Sequence, residues 1–486
     1  MHKRLGEGIH IWLILNMLRF LKDFLIYGLA SVIGKIAALL LMPMYTKILT
    51  QEEYGIMAML ISVKGILDLA SNLNIHSGIA RDYYEKGINK TILVSTGFWS
   101  ILTISISILI IMSLSCNFWV ENVLSLHGHE LDFILVLLSI PAGSFISYFS
   151  ILTRFNKQPV KFAIGTIMSL VIQLTVNIYT IAVLHWGITG FFVGTLVGDL
   201  FSLIYFYLLN KSLVNLSFDW NYLKRALKYC IPLLPAILAG WVDSSLGQIF
   251  IGKSVSYTEL GIYSVAVQFA SAFTLISMAL RNVWAPYLYE SYKKPNFQSE
   301  LDRLFTFFVL LAIFVSCALS LLSNELILIF SNKDYLDACI YLTMLCIPMS
   351  FLLLFPIAQS GLSISRNTKF VGIAYIIGST LNILFLIAFL KKIGVVAVPI
   401  GLTISRIVTY FMMYAATRKY SSLHLPNQLL IALILSVLIS LVLAYFKSNI
   451  ILRITFLIII TAFLTVIAIK RLNIINFLKS LVNKAD

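Results

Sequence analysis

Charged residues are scarce in this chain. Asp, Glu, Lys and Arg make up 12% of its 486 residues, where a soluble domain carries about 25%. Hydrophobic residues make up 59%, and mean hydropathy is +0.93. No water-soluble fold hides that much apolar surface, which excludes a cytosolic enzyme or a soluble binding module. Polar connecting stretches are short, so no extramembrane domain is expected. Cysteine is rare. Cys116, Cys230, Cys317, Cys339 and Cys346 sit mostly within apolar runs, form no metal-ligand spacing and suggest no disulfide; they read as small buried hydrophobes. Nucleotide and hydrolase motifs are missing: there is no P-loop, no Gly-x-Ser-x-Gly and no HExxH. The energy source is therefore expected to be an ion gradient, the membrane potential or consumption of substrate. His127-Gly128-His129-Glu130 has no further ligands nearby, and no metal or other cofactor is expected. A cleavable leader is not expected either, because the apolar stretch Ile9 to Leu15 is too short and lacks a small-residue cleavage site.

What fills the chain is long apolar runs. A transmembrane helix needs about 20 mostly apolar residues, and about fourteen windows qualify, from 24–46 and 54–75 through 230–252 to 429–446 and 451–469. A β-barrel would instead show alternating segments of about ten residues. The expected class is an all-α polytopic membrane protein. The formal charge of +15 has a topological explanation. With the N-terminus in the cytoplasm, 26 of the 36 basic residues fall in cytoplasmic segments, seven on the opposite side, and Lys35, Lys64 and Arg406 inside spans. That bias places both ends inside and favours anionic lipid as the electrostatic partner; nucleic acid is unnecessary. The two longest loops, Asn210 to Tyr229 and Trp284 to Asp302, read as interfacial amphipathic segments.

The chain also repeats itself. Glu53-Tyr54-Gly55-Ile56 recurs as Glu259-Leu260-Gly261-Ile262, 206 residues on. Gly187 to Gly194 matches Gly394 to Gly401 at an offset of 207, which sets Asp199 against Arg406, and Lys161-Phe162 and Lys369-Phe370 open the preceding span of each half. Four matches in one order at nearly one offset indicate two related halves. Both ends of each half lie on the same side, so the repeat is parallel.

The run Met42-Pro43-Met44-Tyr45-Thr46-Lys47-Ile48-Leu49-Thr50-Gln51-Glu52-Glu53-Tyr54-Gly55 closely resembles the first hairpin of the polysaccharide-export flippases, O-antigen flippases among them. They belong to the multidrug/oligosaccharidyl-lipid/polysaccharide exporter superfamily. Span count and repeat extend the resemblance over nearly the whole chain. It implies a fold like that of lipid II flippases and multidrug-and-toxin extruders: two six-helix lobes around a central cavity, with two extra helices outside. The lobes are expected at 1–215 and 216–420, and the extra spans and tail at 421–486. The implied activity is passage of an undecaprenyl-diphosphate-linked oligosaccharide across a bacterial inner membrane by alternating access, for O-antigen, capsule or a similar polysaccharide. A polysaccharide polymerase and a chain-length regulator would be its partners.

Such a substrate carries a diphosphate, which needs cations in a wet cavity, because burying it unpaired is prohibitive. Charge inside a span marks a site, so Lys35, Lys64 and Arg406 are the substrate-binding candidates. Arg281 is a fourth, although it also fits as a topology arginine. Lys64 and Asp68, spaced i, i+4, share a helix face and either serve transport or neutralise each other. Asp68, Asp199 and Asp243 are candidates for charge pairing or for a coupling proton or sodium ion. Lys35 and Asp243 occupy equivalent spans and are expected to face each other across the cleft between lobes, so that reversing both charges rescues the single mutants. Were Lys35, Lys64 and Arg406 all neutralised by neighbours, the anion path would have no basis. Pro232, Pro235, Pro141-Ala142-Gly143, Pro348 and Pro356 mark kinks suited to hinges or to cavity walls. Ion-coupled drug efflux and lipid II transport are alternatives on the same fold; in-span bases lean against drug efflux. A membrane-embedded polymerase or glycosyltransferase would need a large external loop or an acidic metal motif, and the chain offers neither.

Overall fold

The computed structural model describes residues 33–472 apart from 86, 157, 366, 368, 421–427 and 446–448. Ile9 to Leu15 and the basic residues Lys3, Arg4, Arg19, Lys22, Lys86, Lys157, Arg366, Lys447, Lys479 and Lys484 lie outside the described residues. The described chain is nearly all helix, with no strand. Its helices are α1 (33–48), α2 (Gln51–Asn72), α3 (Ile75–Asp82), α4 (Lys90–Leu114), α5 (Glu130–Phe155), α6 (Pro159–Ile178), α7 (Gly187–Asn210), α8 (Trp220–Cys230), α9 (Leu234–Trp241), α10 (Gly247–Ser254), α11 (Tyr257–Ala270), α12 (Ala272–Ser291), α13 (Phe297–Leu321), α14 (Ser323–Phe330), α15 (Ala338–Ala358), α16 (Ser360–Ile364), α17 (Lys369–Ile393), α18 (Ala397–Tyr420), α19 (Gln428–Tyr445) and α20 (Ile450–Leu472). Eleven helical stretches among the described residues are long and apolar enough to cross a membrane, α17 and α18 running together as one, and Leu430–Val442 is a shorter apolar helix. This is a multi-pass membrane protein.

The helices group into two compact units: the described residues of Met1–Leu41 with Val63–Leu234, and those of Met42–Ser62 with Pro235–Asp486. In the first, α5 packs on α7 and α7 on α6. In the second, α17 packs on α18, α15 lies against α13 and α18, and α19 and α20 both pack on α13. The internal repeat is visible within each unit. A Cβ on Gly194 would strike the Asn177 amide across α6 and α7, and a Cβ on Gly401 would strike the Asn382 amide across α17 and α18. The matched glycines thus let one polar side chain sit between closely packed helices, as small residues do in membranes.

One of the two long basic segments departs from expectation and the other fits it. Trp284 to Ser291 is no loop; it continues α12, because Trp284 and Leu288, one turn apart, are both buried in the second unit's core. The basic stretch before the seventh span is helical as α8, capped by Asp219 accepting from the Asn221 N–H. It runs through Pro232 straight into α9.

Arg453, one of the seven basic residues counted on the side opposite the cytoplasm, is in α20 and 5% exposed. Its guanidinium grips both carboxylate oxygens of Glu325 at 2.7 and 3.0 Å and donates to the Leu321 carbonyl at 2.8 Å. This fork holds α20 to the α13–α14 corner. Removing one partner of a buried pair costs about 3–5 kcal/mol. Arg453→Ala is therefore expected to lower the thermal midpoint of the purified protein markedly, whereas Arg453→Met with Glu325→Leu restores most of it. Fluorescence size-exclusion after heating measures both.

Candidate functional site

The repeated Glu-x-Gly-Ile motif is where α2 and α11 cross. Thr50 and Glu53 form a reciprocal cap at the start of α2: the Thr50 N–H donates to Glu53 Oε2 at 2.8 Å, and the Glu53 N–H donates to Thr50 Oγ1 at 3.1 Å. Ser256 caps α11 by accepting from the Glu259 N–H at 3.1 Å, while Glu259 Oε2 accepts from the Tyr341 hydroxyl at 3.0 Å. Two residues beyond each glutamate the helices touch. A Cβ on Gly55 would collide with the Tyr257 carbonyl, and a Cβ on Gly261 with the Gln51 carbonyl. The motif is therefore architectural: a capping box starts α2, a serine cap starts α11, and a glycine lets the backbones meet.

In the first unit the in-span charges form a triad. Lys64 Nζ lies 2.8 Å from Asp68 Oδ2 and 3.9 Å from Asp199 Oδ2. Asp68 Oδ1 is buried without a hydrogen-bond partner. Gly143, in the Pro141-Ala142-Gly143 kink of α5, makes the room: a Cβ there would come within 3.1 Å of Asp68 Oδ1 and 3.2 Å of Lys64 Nζ. Lys64 is thus held by two carboxylates, and the triad carries one excess negative charge. Lys35, on α1, is exposed.

In the second unit the remaining candidates share one cavity. Asp243 lies in Val242–Leu246, a wider π-helical turn joining α9 to α10, the kind of local bulge that re-aims side chains at functional sites. Its Oδ1 accepts from Asn382 Nδ2 at 3.3 Å and from Ser405 Oγ at 3.1 Å, and Oδ2 is 3.0 Å from the same hydroxyl. Asn382 Oδ1, beside it, is buried without a partner. Arg406, next in chain to Ser405, is 5% exposed; its guanidinium donates to the Pro348 carbonyl at 3.2 Å and touches the Met349 sulfur at 3.4 Å. Asp243, Arg281, Arg406 and Tyr375 line a cavity of about 320 Å³, walled by Leu352 and Phe355. Arg281 reaches it as an exposed side chain. Two guanidinium groups face one carboxylate, so this cavity carries one excess positive charge.

The two units therefore invert each other. Asp199 in the first corresponds by the repeat to Arg406 in the second, and Lys35 lies in the span equivalent to that of Asp243, so both charges change sign. Sequence reasoning missed Asn382, Ser405 and Tyr375, whose polar atoms lie in apolar helices without a charge to flag them. It also missed Asp132, which is 3% exposed, accepts from Thr189 Oγ1 at 2.6 Å and lies 2.8 Å from His129 Nδ1. All five cysteines are buried and free. Among the described residues no group of three His, Cys, Asp or Glu side chains is placed to hold a metal.

A model of a family described as polysaccharide biosynthesis protein matches residues 44–296, just over half of the chain. A Haemophilus influenzae protein named Lsg locus putative protein 1 is 24% identical over 289 residues, covering 57% of this chain and 68% of that one. Among solved structures, the lipid II flippase MurJ in an inward closed conformation superposes with a TM-score of 0.72 at 16% identity, covering 92% of this chain and 99% of that one. An inward-facing multidrug resistance MATE transporter of the MOP superfamily reaches 0.61 at 15% identity, over 82% and 94% of the two chains. The fold is the one these two structures share.

Proposed function

Because this chain belongs to the polysaccharide biosynthesis protein family, we propose that it is a flippase for a lipid-linked oligosaccharide. Its substrate is an undecaprenyl-diphosphate-linked repeat unit of O-antigen, capsule or a similar polysaccharide. It acts in a bacterial inner membrane with both termini in the cytoplasm, as a transporter with no catalytic step of its own, upstream of a polymerase and a chain-length regulator. The observation that carries this reading is the cavity where Arg281 and Arg406 outnumber Asp243. A polar hole with surplus positive charge inside apolar helices suits a diphosphate, and arginine's planar fork matches phosphate oxygens. Lys35, exposed on α1, is a separate candidate base of the first unit, while Lys64 is committed to Asp68 and Asp199.

Asp243 is the proposed coupling residue. Its carboxylate and the partnerless carbonyl oxygen of Asn382 offer a small cation hard oxygen ligands, and protonation of the carboxylate offers a proton the same place. Cation binding there would remove the charge nearest to Arg406 and release the guanidinium toward the substrate. Drug efflux finds support in one observation, the excess negative charge of the Lys64–Asp68–Asp199 triad, and it predicts export of cationic dyes.

The test is complementation in a strain whose own flippase is deleted and whose surface glycan is scored on gels. Wild type is expected to restore export, and Arg281→Ala to reduce it at least tenfold at equal membrane abundance. Normal glycan with Arg281→Ala and Lys35→Ala combined, or dye export without glycan rescue, would reject the reading.

A further inference from the structure

Each unit has an apolar groove outside its charged site, and the two share one equivalent wall. In the first unit a groove of about 480 Å³ runs between α4 and α8; Leu73, Trp99, Thr103, Ile104, Trp220 and Leu227 are among its walls. In the second unit a groove of about 360 Å³ runs between α12 and α13, with Ile276, Ala279, Trp284, Tyr287, Leu304 and Phe308 among its walls. Trp99 and Thr103 correspond to Leu304 and Phe308, 205 residues on, and Leu73 corresponds to Ala279, 206 on. The α4 wall of the first groove thus corresponds to the α13 wall of the second, while α8 and α12 are not equivalent.

Depth and charge define the occupant. In the second groove Ile276 to Tyr287 is eleven residues of α12, about 16 Å at 1.5 Å per residue. In the first, the lining residues of α4 run from Trp99 to Ile104, five residues or about 8 Å. Half of a hydrocarbon core of about 30 Å is about 15 Å, so the second groove is about one leaflet long and the first about half of one. Basic residues stand beside the walls of both. On α8, Lys224 and Lys228 follow the lining residues Leu223 and Leu227, continue the Trp220 face at i+4 and i+8, and are exposed. On α13, exposed Arg303 directly precedes the lining residue Leu304, and exposed Lys293 and Lys294 follow the end of α12. Tryptophan at the rim suits the headgroup level.

We infer that each groove holds one acyl chain of an anionic membrane phospholipid of the leaflet on the base-rich side, its phosphate met by Lys224 and Lys228 in one unit and by Arg303 in the other. The two sites are structural lipid sites, separate from the proposed transport path and independent of what is transported.

Native mass spectrometry of the purified full chain, with palmitoyl-oleoyl phosphatidylglycerol or phosphatidylethanolamine added at equal concentration, tests this. Wild type is expected to retain two phosphatidylglycerol molecules and to prefer them at least fivefold. Thr103→Phe fills the first groove and Ala279→Phe the second; each is expected to remove one retained lipid and the double variant both. Lys224→Glu with Lys228→Glu changes only surface residues and is expected to abolish the headgroup preference at one site. Two lipids retained by the double filling variant, or equal retention of the two headgroups by wild type, would overturn the inference. Displacement of phosphatidylglycerol by equimolar undecaprenyl phosphate would overturn it too, since the grooves would then belong to the transported lipid's tail.

Discussion

Leucine in place of Gly55 or Gly261 is expected to abolish accumulation of folded protein. At each position even a methyl group would occupy the place of a backbone carbonyl, that of Tyr257 or of Gln51. A flexible side chain can step aside, but a carbonyl in a hydrogen-bonded helix cannot. Overpacking a core ordinarily costs about 1–3 kcal/mol through local adjustment. Here α2 and α11 must separate as whole helices, and the cost is expected to exceed that range. Gly55→Leu and Gly261→Leu should each leave little monodisperse protein after detergent extraction, and Gly55→Ala an intermediate amount. Gly372 is the control, since a Cβ there meets only the Ala236 methyl, at 3.6 Å; Gly372→Ala should extract like wild type. Normal yield and melting for Gly261→Leu would show that the crossing is not tightly packed.

The second large effect is expected at Asp243. Asp243 is the one carboxylate lining the cavity that Arg406 also lines; Asp243→Asn removes that charge and leaves the Arg406 contacts to the Pro348 carbonyl and the Met349 sulfur in place. An uncompensated buried charge costs about 3–5 kcal/mol, which corresponds to more than a hundredfold in an equilibrium between conformations. Transport is expected to fall by at least that factor under Asp243→Asn, to recover in part with Asp243→Glu, and to change little with Ser405→Ala, which leaves the Asn382 donor. Arg406→Gln should be as inactive as Asp243→Asn. Glycan export per unit of protein in membranes, with melting of the same preparations, separates loss of transport from loss of folding. Full export by a stably folded Asp243→Asn would remove this residue from the mechanism.

Much of the architecture was legible because the membrane imposes it. Apolar runs of one span length have few alternatives to helix, and the repeat offset paired helices that do pack alike, α6 on α7 and α17 on α18. The motif at Gly55 and Gly261 stood out as a repeat. Its role was also within reach: Thr50-x-x-Glu53 and Ser256-x-x-Glu259 have the spacing of a capping box. Other parts were not legible. Whether Lys64 is held by Asp68 alone or also by Asp199 depends on how α2 meets α7, which no local pattern encodes. Asn382 and Ser405 carry no charge to draw notice. Arg453 looked like a loop residue because it stands near Lys447 at the weakest break in hydropathy; only its fork to Glu325, 128 residues away, shows that it is inside.

The sign reversal between units has an evolutionary consequence. A protein that arose by joining two copies of one gene would start with two identical halves, each with the same cation and the same anion. Here the second half has Arg406 where the first has Asp199, and Asp243 in the span equivalent to the one that carries Lys35. A tandem fusion of either half with itself would carry only that half's charges twice, and neither could regenerate the mixed set of the natural chain. The halves have become complementary parts, and selection acts on them as a pair.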